Sequence, residues 1–313
     1  MSSADKNHIQ EAGSGLQPAS TRQVESVAPE VVEAVPPSFR GRVPLDDHFD
    51  WSALATLFTL TLRQHLRGKR LLVLCFLFVL PTLVVILTRT LNPTKVRASE
   101  LEFGSVFMLL PHALLPLAAL LYASGMIQDE LEEQTLTYLL VRPLPRWALY
   151  VAKLLATWLL TSALSSVFAA LTLIVVHWGE ANLWGEILPL RAFQLAVVLT
   201  LTQLTYCSLF GLISLYTRWA MVVGIFYILV FEGILANLEF AVRRLTAMFY
   251  FRVLATHWLD VTDRYDTWAF QGEVLPAAGT CVAVLLVVAL VLTLWAAVVF
   301  SKREFRVKTP EGN

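Results

Sequence analysis

Charged and polar residues gather at few places where they could do chemistry. The first is a run beginning Gln128-Asp129-Glu130-Leu131-Glu132-Glu133. It continues through Thr135, Leu136, Leu139 and Leu140 to Arg142 and Arg146, which flank Pro143 and Pro145. Acids are favoured at the start of a helix by its dipole, and the prolines would end such a helix. Read alone, the segment suits a short helix ended by the prolines or a solvated charged connection between two spans. The second place is Glu232, alone in the apolar run from Trp219 to Leu238. A carboxylate inside a membrane costs about 3 kcal/mol at mid-depth unless it meets a cavity or a partner. Its position toward one end of the run also suits a side chain that reaches the outer interface. His112, between Pro111 and Ala113, reads as a structural histidine. His257 and Asp260 stand at helical spacing for a metal, but two ligands do not make a site. Cys75, Cys207 and Cys281 all fall in apolar blocks and read as packing residues, with neither a disulfide framework nor zinc spacing.

Enzyme motifs are missing. Neither Gly-x-Ser-x-Gly nor His-Glu-x-x-His occurs. The Glu132-Glu133 pair is similar to that of prenyl-protein proteases, but Thr137 stands where that motif has Arg, and the pair lies outside any apolar run. No Gly-x-x-x-x-Gly-Lys-[Ser/Thr] phosphate loop is present, and no polar stretch could hold a nucleotide-binding domain of about 200 residues. No cofactor is expected on this chain.

The elements that position these residues follow from composition. The 313 residues are 57% hydrophobic and 15% charged, with a mean hydropathy of +0.63. These values exclude a soluble enzyme, and zero net charge excludes a basic nucleic-acid binder. The expected fold is all-α and polytopic, with six transmembrane helices at about 71–88, 103–128, 154–176, 192–217, 219–238 and 274–300. Residues 1–48, rich in Ser, Pro, Glu and Val, read as a disordered cytoplasmic tail. No apolar h-region of a signal peptide stands within them, so the first span is expected to direct insertion. From Asp50 to Arg67, Trp51, Leu54, Leu57, Phe58, Leu62 and Leu66 recur at helical steps, which predicts an amphipathic interfacial helix. The fourth and fifth spans form a tight hairpin at Arg218. Between the fifth and sixth, Phe240, Leu245, Phe249, Phe251, Leu254 and Trp258 mix with Arg243, Arg244 and Arg252, as expected of an external interfacial or re-entrant segment. Polar residues of the fourth span, Thr202, Gln203, Thr205, Tyr206 and Ser208, suit hydrogen bonds between helices. The basic flank Arg63, Arg67, Lys69 and Arg70 and the tail Lys302, Arg303, Arg306 and Lys308 place both termini in the cytoplasm. A membrane domain over 49–306 and a cytoplasmic tail over 307–313 complete the organisation.

The order of a span, an acidic turn, Thr-Leu-x-x-Leu-Leu, Arg-Pro-x-x-Arg and an Ala-Lys entering the next span resembles the type-2 (ABC-2) ATP-binding-cassette permeases. The pattern falls on Glu130, Glu133, Thr135, Leu136, Leu139, Leu140, Pro143, Arg146 and Lys153. It departs at Gln134, where the family usually has glycine. The resemblance spans roughly residues 50 to 305. It implies that Asp129 to Leu140 forms or abuts a coupling helix seated on a separate cytoplasmic ATPase, which would bind the ATP and magnesium. It also implies a second permease copy or paralogue across a pathway lined partly by the second and fifth spans, exporter-type transport, and a bacterial plasma membrane. The alternative is a membrane scaffold or assembly factor of the same fold that transports nothing.

Overall fold

The computed structural model describes residues 51–91, 97–132, 145–179, 187–237, 241–259 and 275–303, with the side chains of 129–132 and 241 left aside. Every regular element among them is helical. The amphipathic helix α1 is Trp51–Arg67, and Gly68 separates it from α2, Lys69–Leu91. Helix α3 is continuous from Ala98–Glu102 through Phe103–Leu114 to Leu115–Glu132. Helix α4 is Arg146–Val176, α5 is Ile187–Tyr216 and α6 is Ala220–Asn237. A short turn of helix at Ala241–Leu245 leads into α7, Ala247–Leu259, and the described fold closes with α8, Ala278–Lys302.

Six of these, α2, α3, α4, α5, α6 and α8, are long and apolar enough to cross a membrane. They alternate in direction. One end of the bundle, here called proximal, holds the α1–α2 junction, the end of α3, the start of α4 and the end of α8. The distal end holds the end of α6, α7 and the start of α8. Cross-links agree with this order: Arg146 Nη1 donates to the Arg303 carbonyl at the proximal end, and Arg89 donates to the carbonyls of Val176 and Trp178 at the distal end. The chain is a multi-pass membrane protein.

Helices α3 and α5 form the centre. About two thirds of the apolar window of α3 is buried, against 22% for each of α2, α6 and α8. The peripheral helices present broad apolar faces, among them Leu72, Phe76 and Leu83 of α2 and Val287, Val291 and Trp295 of α8. Such faces need lipid or another protein. Lipid offers no hydrophobic drive between helices, so close approach through small residues holds them. Ala148, Ala152 and Ala156 repeat at four-residue steps on the buried side of α4. At Gly211 of α5, a Cβ would lie 2.7 Å from the Tyr150 hydroxyl and 3.1 Å from Met126 Cε, so glycine permits a three-helix crossing. Of the polar face of α5, Thr205 and Ser208 bond to another helix, Thr205 Oγ1 donating to the Leu285 carbonyl at 3.3 Å and Ser208 Oγ pairing with Thr293 Oγ1 at 3.0 Å, whereas Thr202 and Gln203 bond within α5.

Two helices depart from regular α geometry. Over Phe103–Leu114 and Ile228–Ile234 the turns widen, with the Leu115 N–H bonded to the Leu110 carbonyl five residues back. The first of these stretches contains Pro111, whose missing N–H breaks the ordinary ladder; widened turns absorb such a break. Helix α1 packs along α4, burying Leu57 and Thr61 and leaving Trp51, Leu60 and Leu66 exposed. Helix α7 does more than lie on the surface. Met248, Phe251, Val253, Leu254 and Ala255 are fully buried against α5 and α8, so the segment re-enters the bundle.

Candidate functional site

The acidic motif leaves the bundle at the proximal end. Helix α3 runs without a break past its apolar part to Glu132, so Asp129 and Glu130 stand on a helical continuation of the span. Glu133, Thr135, Leu136, Leu139, Leu140 and Pro143 lie outside the described residues. The motif resumes at Pro145, whose extended backbone caps α4. The α4 helix starts at Arg146, well before residue 154 where the apolar run begins, so Arg146 and Lys153 belong to the helix. Arg146 is exposed in its first turn. Lys153 is buried two turns on, and its Nζ donates to the Met126 carbonyl of α3 at 3.3 Å. Gln128 Nε2 donates to the Thr217 carbonyl at 2.7 Å, tying the end of α3 to the α5–α6 hairpin. A force on the protruding end of α3 is thus shared with α4 through Lys153 and with α5 and α6 through Gln128.

Glu232 sits toward the distal end of α6 and is 1% exposed, so its carboxylate is enclosed by the protein. It lies in the widened turns of α6. Tyr227 donates to its Oε1 at 3.4 Å, and Oε2 has no hydrogen-bond partner. The Tyr206 hydroxyl and the N–H groups of Ala247 and Met248, at the start of α7, surround the carboxylate in geometry looser than a hydrogen bond. Helix N-termini favour negative charge, so α7 opens toward the carboxylate with its positive end. Arg252, one turn further along α7 and 2% exposed, is the cation that faces it. Its guanidinium donates to the Ala236 carbonyl at 3.0 Å, to Asn237 Oδ1 at 2.8 Å and to His112 Nε2. His112 belongs to the widened turns of α3 and is anchored through Nδ1 to the Met108 carbonyl at 2.9 Å. Arg252 therefore bridges the irregular stretches of α3 and α6 from the re-entrant helix.

A second buried cluster pins the distal ends of α3, α4 and α5. Glu102 is 4% exposed, and its two oxygens meet His177 Nε2 and Arg191 Nε, each at 3.2 Å. Arg191 Nη2 also donates to the Leu259 carbonyl at 3.1 Å, which fixes the end of α7. These residues are not separable from connecting-loop charges by type alone. Arg252 does carry a signal, as the one charged residue within the apolar stretch Ala247–Leu259. His257 Nε2 faces the Pro276 carbonyl at 3.1 Å, and Asp260 lies outside the described residues. No group of three or more His, Cys, Asp or Glu suited to a metal occurs among the described residues.

Residues 55–305 match the family model described as ABC-2 family transporter protein. Among curated proteins, none matches the chain.

Proposed function

The chain belongs to the ABC-2 transporter family, and from that premise we propose that it is the permease subunit of an exporter driven by a separate ATPase. The ATPase would seat against the segment from Asp129 to Arg146 and hydrolyse ATP with magnesium in its own chain. A second copy of this chain, or a paralogue, would complete the pathway. The observation that supports this most is the uninterrupted helix from the α3 span to Glu132. It carries the acidic motif on a rigid extension, and the Lys153 and Gln128 bonds join that extension to three other helices. Closure of an ATPase dimer on nucleotide would then tilt α3 at its proximal end. The widened turns near Pro111 and Glu232 are the compliant joints at which such a tilt would be absorbed.

On this reading both termini and the motif lie in the cytoplasm, the re-entrant α7 faces the outside, and the membrane is the bacterial plasma membrane. Glu232 would act as the partner that holds α7 against α6 through the transport cycle. The test is a complex purified with its ATPase. Glu133→Ala combined with Arg146→Ala should lower both ATPase binding and ATP-coupled transport by tenfold or more, as expected for about 1.4 kcal/mol per tenfold in affinity. Unchanged binding and unchanged coupling would remove the docking assignment.

A further inference from the structure

At the proximal end a cavity of about 780 Å³ opens between the last turns of α1, the first turn of α2 and the paired α3 and α4. Arg63, Arg67, Lys69, Arg70 and Lys153 line it, and none of the described lining residues is acidic. Of these residues only Lys153 belongs to the ABC-2 pattern, and the walls are closely packed. A Cβ at Gly125 would collide with the Arg70 guanidinium, so the glycine lets that side chain lie against the α3 backbone. The last turn of α1 is fixed by His65, whose Nε2 pairs with Thr157 Oγ1 at 3.0 Å and whose carbonyl accepts from Tyr122 at 3.4 Å. Lys153 closes the floor with its stem buried and its ammonium beside the Met126 carbonyl.

Immediately beyond Lys69 and Arg70, the α2 residues Leu72, Val73 and Phe76 are exposed, Phe76 by 79%. Cations therefore stand at the polar end of an open apolar face. That is the arrangement of a lipid headgroup above its acyl chains. Guanidinium groups match phosphate oxygens in pairs, and positive side chains near a membrane surface gain about 1 kcal/mol each from anionic lipid. We propose that this cavity binds the phosphate of an anionic lipid headgroup. Arg63, Arg67, Lys69 and Arg70 surround the phosphate, and the acyl chains run along Leu72, Val73 and Phe76. The assignment rests on the membrane fold and not on the ATPase reading, and either can fail without the other.

The experiment uses the full chain purified in neutral detergent, supplied with dioleoylphosphatidylglycerol or dioleoylphosphatidylcholine and read by native mass spectrometry. The chain should retain the anionic lipid about fivefold or more over the zwitterionic one. Lys69→Gln with Arg70→Gln should bring that ratio close to one. Arg63→Gln with Arg67→Gln, on the exposed side of α1, should lower it without touching the bundle. Arg244→Gln, at the distal end, should leave it unchanged. Inorganic phosphate, added alone at millimolar concentration, distinguishes the source. If it raises the melting temperature while the two lipids are retained equally, the ligand is a soluble phosphate and the lipid assignment falls. Equal retention with no response to phosphate, or a preference that survives both double variants, would overturn the site.

Discussion

Arg252→Met removes the bridge among α7, α6 and α3 at constant side-chain bulk. Arg252 is 2% exposed and gives charge-assisted bonds to the Ala236 carbonyl, Asn237 Oδ1 and His112. Hydrogen bonds between membrane helices average only about 0.6 kcal/mol each, so their loss alone would cost about 2 kcal/mol. The larger effect is what stays behind. The buried Ala236 carbonyl, left unpaired, costs about 1–3 kcal/mol, whereas the exposed Asn237 can turn to water. A total of about 3–4 kcal/mol is expected, which for a domain of this size is a fall of about 8–12 °C in melting temperature. Cys207 and Cys281 are fully buried, so a thiol-reactive dye reports unfolding in detergent without added labels. Arg252→Lys keeps the charge without the planar fork and should lose about half as much. Arg244→Gln, exposed nearby, should change stability by no more than about 0.5 kcal/mol. A melting temperature for Arg252→Met within about 2 °C of the parent would refute the bridge.

Other outcomes follow from the same packing. Glu102→Gln takes the charge from between His177 and Arg191, and because Arg191 is partly exposed the loss should stay near 1–2 kcal/mol in the same melting assay. Gly211→Val should cost about 1–3 kcal/mol by forcing apart the Tyr150 and Met126 contacts, with Gly279→Val, which has open space at its Cβ, as the mild control. Before unfolding, a membrane-permeant maleimide should label Cys75, which is half-buried, and spare Cys207 and Cys281; labelling of all three at equal rates would contradict the packing of α5 and α8.

The spans were legible because a membrane helix needs an uninterrupted apolar run, and six such runs are present. Their ends were less legible. Charge marks a connection in the sequence, yet Arg146 and Lys153 lie inside α4, because one side chain reaches solvent from the first turn and the other finds a carbonyl on α3. Glu232 was conspicuous as a lone carboxylate in an apolar run. Its surroundings were not, since Tyr206, Ala247, Met248 and Arg252 come together only when α7 folds back into the bundle. The apolar and basic residues of that segment suit an interfacial or a re-entrant position, and the buried Arg252 with its three acceptors shows that the segment packs into the distal end of the bundle. His112 reads as structural from its apolar surroundings, and its side-chain partner Arg252 lies 140 residues away, out of reach of any local pattern. Glu102, His177 and Arg191 fall at the edges of apolar runs, where charges are ordinary, and nothing local distinguishes a mutually paired, largely buried triad from solvated flanks.

If this chain is the membrane half of an ATP-driven machine, an ATPase should accompany it out of the membrane. Affinity purification of the tagged chain from native membranes in mild detergent, with mass spectrometry of what accompanies it, tests this most directly. A cytoplasmic ATPase recovered in stoichiometric amount, and lost when Glu133 and Arg146 are both changed to alanine, is the expected result. A clean preparation without an ATPase would contradict the account and leave a scaffold of the same fold in its place.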